Sequence, residues 1–158
     1  MATTGDPVAD LFLRTGHTLA VAESLTGGRL SSTFAERPRA SDWYRGAVVA
    51  YSSEVKHRLL GVHGPVVSEE AAVAMAQGVA KILDATAAVA VTGVGGPDPQ
   101  EGQPPGTVWV GLYVDGHGVA TLLSITGSPE EIVEATCRQS SDLLMGQLDD
   151  HGSGQASR

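Results

Sequence analysis

Residues 18–30 read TLAVAESLTGGRL, an apolar run followed by a polar turn with two glycines and then by helix-forming residues. This order predicts a β-strand, a sharp turn and the start of a helix. Ser24 and Thr26 would then lie at the carboxyl edge of a sheet, beside the backbone N–H groups of Thr26, Gly27 and Gly28. A serine hydroxyl next to several N–H donors suits acyl transfer. The alternative is that Ser24 or Thr26 only caps the helix.

A second stretch, residues 46–62, reads GAVVAYSSEVKHRLLGV and predicts a strand, a polar turn after Tyr51 and a short helix that carries Lys56. A serine nucleophile needs a base, and no His–Asp pair suited to that role is evident in the sequence. Two adjacent strand ends would bring Ser24 and Lys56 together. The alternative for Lys56 is an ordinary exposed position on a helix.

Hydrophobic periodicity and turn residues extend this pattern along the chain. The predicted helices cover about 8–14, 26–35, 53–60, 68–83 and 129–148, and the predicted strands cover about 18–22, 47–51, 87–92, 107–114 and 119–125. Strand–helix alternation that ends in a hairpin and a helix predicts an α/β fold: a three-layer αβα sandwich around a mixed, mostly parallel sheet of about five strands. Ligands of such sheets bind at the carboxyl ends of the parallel strands.

The loop between the third and fourth strands, residues 92–106, reads TGVGGPDPQEGQPPG. Long loops rich in Gly and Pro are usually functional or disordered, so this loop either binds a ligand or is a plain surface connection. It resembles a phosphate cradle, although no GK[ST] follows as in a P-loop. Trp43 and Tyr44, in a polar connection, either seal the core or form the wall of a pocket for a flat ring.

The chain has 158 residues and a net charge of −8, which suits one domain, residues 1–150, with a compositionally disordered tail at 151–158. The acidic balance argues against nucleic acid or an anionic membrane as a partner but permits a small phosphorylated ligand. Cys137 is the single cysteine, which excludes an intrachain disulfide and a multi-cysteine metal site and favours a cytoplasmic protein.

Five ordered motifs resemble the CinA carboxyl-terminal domain family, the nicotinamide-nucleotide amidases. They are AESLTGG at 22–28, GAVVAYSSEVKHRLLGV at 46–62, VSEEAAVAMAQG at 67–78, VTGVGGPD at 91–98 and PPGTVWVGL at 104–112. The resemblance covers about residues 6–148. It implies hydrolysis of the carboxamide of nicotinamide mononucleotide to nicotinic acid mononucleotide and ammonia, through a Ser–Lys dyad and without a metal or cofactor.

The resemblance also assigns residues to roles. Ser24, Lys56 and Tyr51 match the catalytic positions, Tyr51 either orienting the dyad or only packing at the strand end, and an oxyanion site would be formed by the turn Thr26, Gly27 and Gly28. The substrate-binding positions would be Thr92, Gly93, Gly95, Gly96 and Thr107. Family habit suggests a homo-oligomer.

The sequence departs from the family before the last helix. The family commonly reads GDREEVR where this chain reads GSPEEIV, so that Pro129 and Val133 stand where arginines are expected. Arg138 would project from a different helix face. A missing guanidinium removes a bidentate contact to phosphate or carboxyl oxygen. Two alternatives therefore remain beside the amidase: a catalytically impaired nucleotide-binding or assembly protein, and a Ser–Lys amidase for another small amide.

Overall fold

The computed structural model describes the backbone of residues 3–156 and the side chains of residues 3–151. The predicted helices and strands are all present, and a short helix that was not predicted, Ala40–Trp43, lies in the expected polar connection before the second strand. In chain order they are α1 Pro7–Thr15, β1 Leu19–Glu23, α2 Arg29–Ala35, α3 Ala40–Trp43, β2 Tyr44–Val49, α4 Ser53–Leu60, α5 Glu69–Leu83, β3 Ala87–Gly93, β4 Thr107–Val114, β5 His117–Ser124 and α6 Pro129–Ala156.

The strands form one mixed sheet in the order β2-β1-β3-β4-β5. Strand β1 pairs in parallel with both β2 and β3, whereas β4 and β5 each pair antiparallel with the preceding strand. The carboxyl ends of β1, β2 and β3 therefore meet at one edge of the sheet. Since the chain leaves β1 for β2 on one side and returns to β3 on the other, this edge is a topological switch point, where α/β sheets bind ligands.

Side-chain alternation separates the two faces of the sheet. Leu19 and Val21 of β1 pack into a cluster with residues of α1, α2, α3 and α6, and Ala20 and Ala22 pack into a second cluster with α4 and α5. The small alanines let α4 and α5 approach the sheet closely. The result is the predicted three-layer αβα sandwich. Among the described residues, no helix is both long enough and apolar enough to cross a bilayer.

Strand β2 begins three residues earlier than predicted and ends at Val49, before Tyr51. Trp43, just before the strand, belongs to the core, and Tyr44, its first residue, packs against the core. Trp43 is 2% exposed and stacks on Phe12, with ring centroids 4.8 Å apart. The hydroxyls of Tyr44 and Ser31 are hydrogen-bonded at 2.6 Å. Of the two alternatives for these rings, sealing of the core is the one observed.

Helix α2 begins at Arg29 rather than near Thr26, and neither Ser24 nor Thr26 caps it. The carboxylate of Glu23, which is fully buried, caps the helix instead. Its two oxygens accept hydrogen bonds from Thr26 Oγ1 at 2.6 Å and from the N–H groups of Gly28, Leu30 and Ser31 at 3.1, 2.9 and 2.8 Å. A negative charge at a helix N-terminus is electrostatically favourable. Glu23 therefore fixes the whole turn between β1 and α2.

The last helix is longer than the sequence suggested. We expected it to end near Leu148 and to be followed by a disordered tail at 151–158. Helix α6 instead continues to Ala156, which places residues 151–156 in the helix. Residues 157 and 158 lie outside the described part of the chain.

Replacement of Glu23 by glutamine tests this anchor. An amide keeps the size of the side chain but directs its NH₂ group at N–H donors, so Glu23→Gln should lower the free energy of unfolding by about 2 kcal/mol. Chemical denaturation with fluorescence detection measures the change. Glu36→Gln, at an exposed carboxylate just beyond the other end of α2, serves as the control and should unfold like the wild type. Equal unfolding midpoints for Glu23→Gln and wild type would contradict the role given to Glu23.

Candidate active site

A cleft of about 270 Å³ opens at the sheet edge where β1, β2 and β3 end. Residues from all three strand ends contribute to it: Ser24, Leu25, Tyr51, Gly93, Val94, Gly95, Gly96, Pro97, Asp98, Pro99 and Gln100. The segment 93–100 forms most of its wall. The cleft volume suits a small organic molecule rather than a polymer.

Ser24 directly follows β1 and is 3% exposed. The parallel pairing extends up to Ser24, because Ala50 N–H donates to the carbonyl of Glu23 at 2.8 Å. By strand alternation, Glu23 belongs to the face covered by α2, and Ser24 belongs to the face of Ala20 and Ala22, which α4 and α5 cover. Ser24 and helix α4 therefore share one side of the sheet.

Lys56 lies in the first half of α4 and is only 2% exposed. Its amine makes no hydrogen bond or ion pair with any residue that the structure describes, which is unusual for a buried lysine. Burial lowers the pKa of Lys56 from 10.5 to about 8, although the negative charge of Glu101 acts in the opposite direction. The Lys56 amine is not completely enclosed. Among the described residues, the side-chain atoms that are both completely enclosed and without a hydrogen bond belong to Arg37 and Ser140.

The same face and edge of the sheet thus hold a buried hydroxyl and a buried amine, but the two groups are not hydrogen-bonded to each other. Lys56 is also absent from the residues that line the cleft. Catalytic hydrogen bonds are often long in free enzymes and shorten when substrate binds. The arrangement is therefore compatible with a dyad, whose contact would have to form on binding.

Two of the three N–H donors in the expected oxyanion turn, those of Gly27 and Gly28, already have acceptors within the protein. Gly27 N–H donates to the carbonyl of Ser24 at 3.1 Å, and Gly28 N–H donates to Glu23. Both donors are therefore occupied. The N–H groups of Leu25 and Thr26 have no acceptor within the described chain, which leaves them as the donors next to the Ser24 hydroxyl.

The expected substrate-binding residues divide into two groups. Gly93, Gly95 and Gly96 line the cleft as predicted from the motif. Thr92 does not, because it is fully buried and its hydroxyl donates to the carbonyl of Val66 at 2.6 Å. Thr107 is not a lining residue either: its carbonyl accepts from Val94 N–H at 2.9 Å, which closes the base of the loop. Both threonines hold the cleft wall in place rather than form it.

Tyr51 stands at the mouth of the cleft and is 74% exposed. Its hydroxyl makes no hydrogen bond to a described residue, so in this structure it does not orient Ser24 or Lys56 as the first of our two alternatives required. The ring forms a solvent-facing wall of the cleft. Such a position suits stacking against a flat ligand.

Pro129, where the resemblance led us to expect an arginine, lies next to the cleft. A Cβ atom on Gly96 would approach Pro129 Cγ at 3.9 Å, which places Pro129 beside the glycine-rich wall. No arginine or lysine lines the cleft, and Asp98 is its charged lining residue. An anionic group bound here would have to rely on backbone N–H donors.

Two acidic residues with clear structural roles were not predicted. Glu23 could have been suspected, because a charged residue that ends an apolar strand before a glycine turn suits a helix N-terminus. Glu101 carried no local signal. Its carboxylate accepts from the N–H groups of Val66 and Val67 at 3.0 and 2.7 Å, about a quarter of the chain away in sequence.

A larger cavity of about 430 Å³ lies on the other face of the sheet, between α2 and α6, and does not include Ser24. Arg138 lines this second cavity, so it does not replace the guanidinium missing at Pro129. Cys137 also lines it. Burial, followed by the charge of Glu23, raises the pKa of the Cys137 thiol to about 11, which makes that thiol a poor nucleophile.

Comparison with known proteins identifies several relatives. A CinA-like protein of Frankia casuarinae is 46% identical over 147 residues, which are 89% of this chain and 34% of that protein. A protein of Halalkalibacterium halodurans, named as competence-damage inducible, is 39% identical over 143 residues, 85% of this chain and 34% of that protein. The chain therefore spans about a third of the length of these relatives.

Solved structures share the fold over nearly the whole chain. A CinA superfamily protein from Klebsiella pneumoniae 700603 has a TM-score of 0.87 and 30% identity, with 91% of this chain and 94% of that chain covered. The α/β fold class is thereby confirmed. The family model of the CinA C-terminal domain matches residues 2–148, and on these grounds the chain belongs to the CinA C-terminal domain family.

Proposed function

We propose that this chain is an amidohydrolase that converts nicotinamide mononucleotide to nicotinic acid mononucleotide and ammonia, with Ser24 as nucleophile and Lys56 as general base. The observation that carries the proposal is the state of Lys56. A buried lysine without a partner, at the ligand-binding edge of an α/β sheet and with its pKa lowered to about 8, is costly for stability and useful for catalysis.

In the acylation step, neutral Lys56 accepts the proton of the Ser24 hydroxyl as Ser24 Oγ attacks the amide carbon. The C=O double bond of the amide opens, and negative charge develops on its oxygen. The N–H groups of Leu25 and Thr26 are the available donors for this oxyanion, and each such donor typically contributes about 3 kcal/mol. Their stabilising effect depends on the turn that the Glu23 carboxylate holds rigid.

Collapse of the tetrahedral intermediate breaks the C–N bond, and protonated Lys56 transfers its proton to the departing nitrogen, which leaves as ammonia. The product of this step is an ester of Ser24. Water then attacks the ester carbon while neutral Lys56 accepts a water proton and returns it to Ser24 Oγ. The nicotinate product leaves and the free enzyme is restored, so that one water is consumed for each ammonia released.

A second candidate, a Ser–Lys amidase for a non-phosphorylated amide, is favoured by the charges of the cleft. Asp98 repels a phosphate but attracts a cation such as the pyridinium ring of a nicotinamide nucleoside. The aromatic ring of Tyr51 stands at the same cleft and suits a flat cationic ring. In this case the dyad is the same, and the phosphate makes only a small contribution to binding.

Substitution of the two dyad residues tests the mechanism. Ser24→Ala and Lys56→Met should each reduce ammonia release from nicotinamide mononucleotide at least about a thousandfold, because residues that act as one unit fail together. At pH 7 Lys56 is mostly protonated in both the folded and the unfolded state. Its charge is removed from water only in the folded state, which lowers the stability of that state. Lys56→Met should therefore melt several degrees higher than wild type while being inactive.

These variants also separate the amidase from an impaired nucleotide-binding homologue. If wild type, Ser24→Ala and Lys56→Met release ammonia at equal background rates from every amide tested, while the mononucleotide still raises the melting temperature of wild type, the protein binds without catalysing. A Lys56→Met variant that retains activity would rule out Lys56 as the base.

The pH dependence follows from the pKa of Lys56. Because its neutral form is the base, kcat/KM should rise with pH and reach half of its plateau near pH 8. Stability should change in the same direction: a lysine whose folded-state pKa lies below its unfolded value gains stability as the pH rises from about 8 to about 10.5. A rate that does not change between about pH 6.5 and 9.5 would contradict the assignment.

Specificity for the phosphate can be tested at Pro129. The wild type should prefer nicotinamide mononucleotide over nicotinamide riboside by less than about tenfold in kcat/KM, since no guanidinium lines the cleft. Pro129→Arg should raise this ratio about tenfold or more. Gln147→Arg, on the same helix but about 27 Å along it, provides the control with equal added charge. An unchanged ratio in Pro129→Arg would show that this position does not reach the phosphate.

A further inference from the structure

We propose that Glu101 is a positioning residue for the Ser24–Lys56 site: its carboxylate clamps the glycine-rich cleft wall onto the backbone that follows α4. The inference rests on the function proposed above. Nothing in the local sequence marks Glu101, since its partners are brought to it only by the fold.

The first observation is how the loop between β3 and β4 is attached. At its base, Val94 N–H donates to Thr107 and Gly106 N–H donates to the carbonyl of Val94 at 2.8 Å. At its tip, Gln100 and Gln103 bond to each other. Described residues 95–103 make hydrogen bonds to the rest of the protein only through Glu101, which lies in this tip. One side chain thus makes all the hydrogen bonds that tie this described stretch of the wall to the rest of the protein.

The second observation is the geometry of the clamp. The two carboxylate oxygens of Glu101 accept from two successive N–H groups, Val66 at 3.0 Å and Val67 at 2.7 Å. Near the end of β3, the hydroxyl of Thr92 donates a separate hydrogen bond to the carbonyl of Val66 at 2.6 Å. The Val66–Val67 segment is therefore held both by β3 and by the loop. Glu101 achieves this with a left-handed backbone, φ 51°, which is unfavourable for a residue with a side chain.

The third observation connects the clamp to Lys56. The Val66–Val67 segment lies on the connection between α4 and α5, and this connection returns to α4 through hydrogen bonds from Val62 N–H to the Lys56 carbonyl at 3.3 Å and from His57 to the Gly64 carbonyl at 2.8 Å. A carboxylate fixed here acts on the amine of Lys56 by its charge. The clamp thus links the wall of the cleft to the helix that carries the base.

Other charged or titratable side chains lie on α4, on the connection to α5, at the start of α5 and on the loop. They are Glu54, His57 and Arg58 on α4, His63 on the connection, Glu69 and Glu70 at the start of α5, and Asp98 on the loop. None of these described groups shifts the pKa of Lys56, and Glu23 at the neighbouring strand end is occupied by the N-terminus of α2. Glu101 alone partly offsets the effect of burial on Lys56.

The test compares the whole chain carrying Glu101→Gln with wild type and with Glu54→Gln. Glu54 is a carboxylate two positions from Lys56 on the same helix, but its side chain is 84% exposed, which makes it a matched control. Hydrogen exchange of residues 95–103 and of the Val66 and Val67 amides should accelerate about tenfold in Glu101→Gln only, because bonds to a charged acceptor are lost. If Glu101 only held the loop in place, faster hydrogen exchange would be the only effect of the substitution.

The pH at which Lys56 titrates is the measurement that distinguishes a positioning role of Glu101 from a purely structural one. Pulse acetylation with acetic anhydride across pH, read by mass spectrometry of the peptide that contains Lys56, gives its midpoint without any need for activity. In Glu101→Gln this midpoint, and the midpoint of kcat/KM against pH, should fall by about half a unit or more. Glu54→Gln should match wild type.

The proposal is overturned if Glu101→Gln leaves hydrogen exchange or the Lys56 midpoint unchanged. Failure of the proposed function appears differently: no amide is hydrolysed by wild type, yet exchange and the acetylation midpoint still respond to Glu101→Gln. Activity that depends on Ser24 and Lys56 but ignores Glu101→Gln would preserve the amidase and refute the clamp.

Discussion

The parallel pairing of β1 with both β2 and β3 is the constraint on which the remaining structure depends. Because the three strands run in the same direction, the segments that follow them emerge at one edge, although they are separated by dozens of residues in the chain. Ser24, the start of α4 and the glycine-rich loop meet there for this reason. The antiparallel strands β4 and β5 widen the sheet but direct their connections elsewhere, apart from the loop that β4 receives from β3.

Two acidic side chains convert this meeting of segments into a defined site. Glu23 uses its carboxylate to satisfy the N-terminus of α2, and by doing so it removes Gly28 from the donors available to a ligand. Glu101 attaches the opposite wall. A buried carboxylate with four hydrogen bonds is stabilising in a way that an unpartnered buried lysine is not. The candidate site therefore combines a rigid turn at Ser24, the proposed nucleophile, with Lys56, the proposed base, in an environment that disfavours its charge.

Membership in the CinA C-terminal domain family fits this organisation. Pro129, where the resemblance led us to expect an arginine, lies beside Gly96 of the cleft wall. Under the proposed function, a proline at this position leaves Ser24 and Lys56 in place but supplies no cation for a phosphate. The chain spans about a third of the length of two of the relatives that it matches.

The sequence by itself determined the fold class and most of the secondary structure, because apolar periodicity, N-caps such as Ser68 and turn residues such as Gly61 act through neighbours a few positions away. It missed α3 and the exact ends of α2, β2 and α6. Motif order also pointed to Ser24, Lys56 and the glycines of the cleft. Only the tertiary structure decided which donors and hydroxyls are free. Gly27 and Gly28 are occupied, Thr92 is bound to Val66, and Glu101 reaches the far side of the cleft, all through contacts that local patterns do not encode. The burial of Lys56 was likewise decided by the tertiary structure, since a helix residue becomes enclosed only when the sheet, α5 and their connections pack around it.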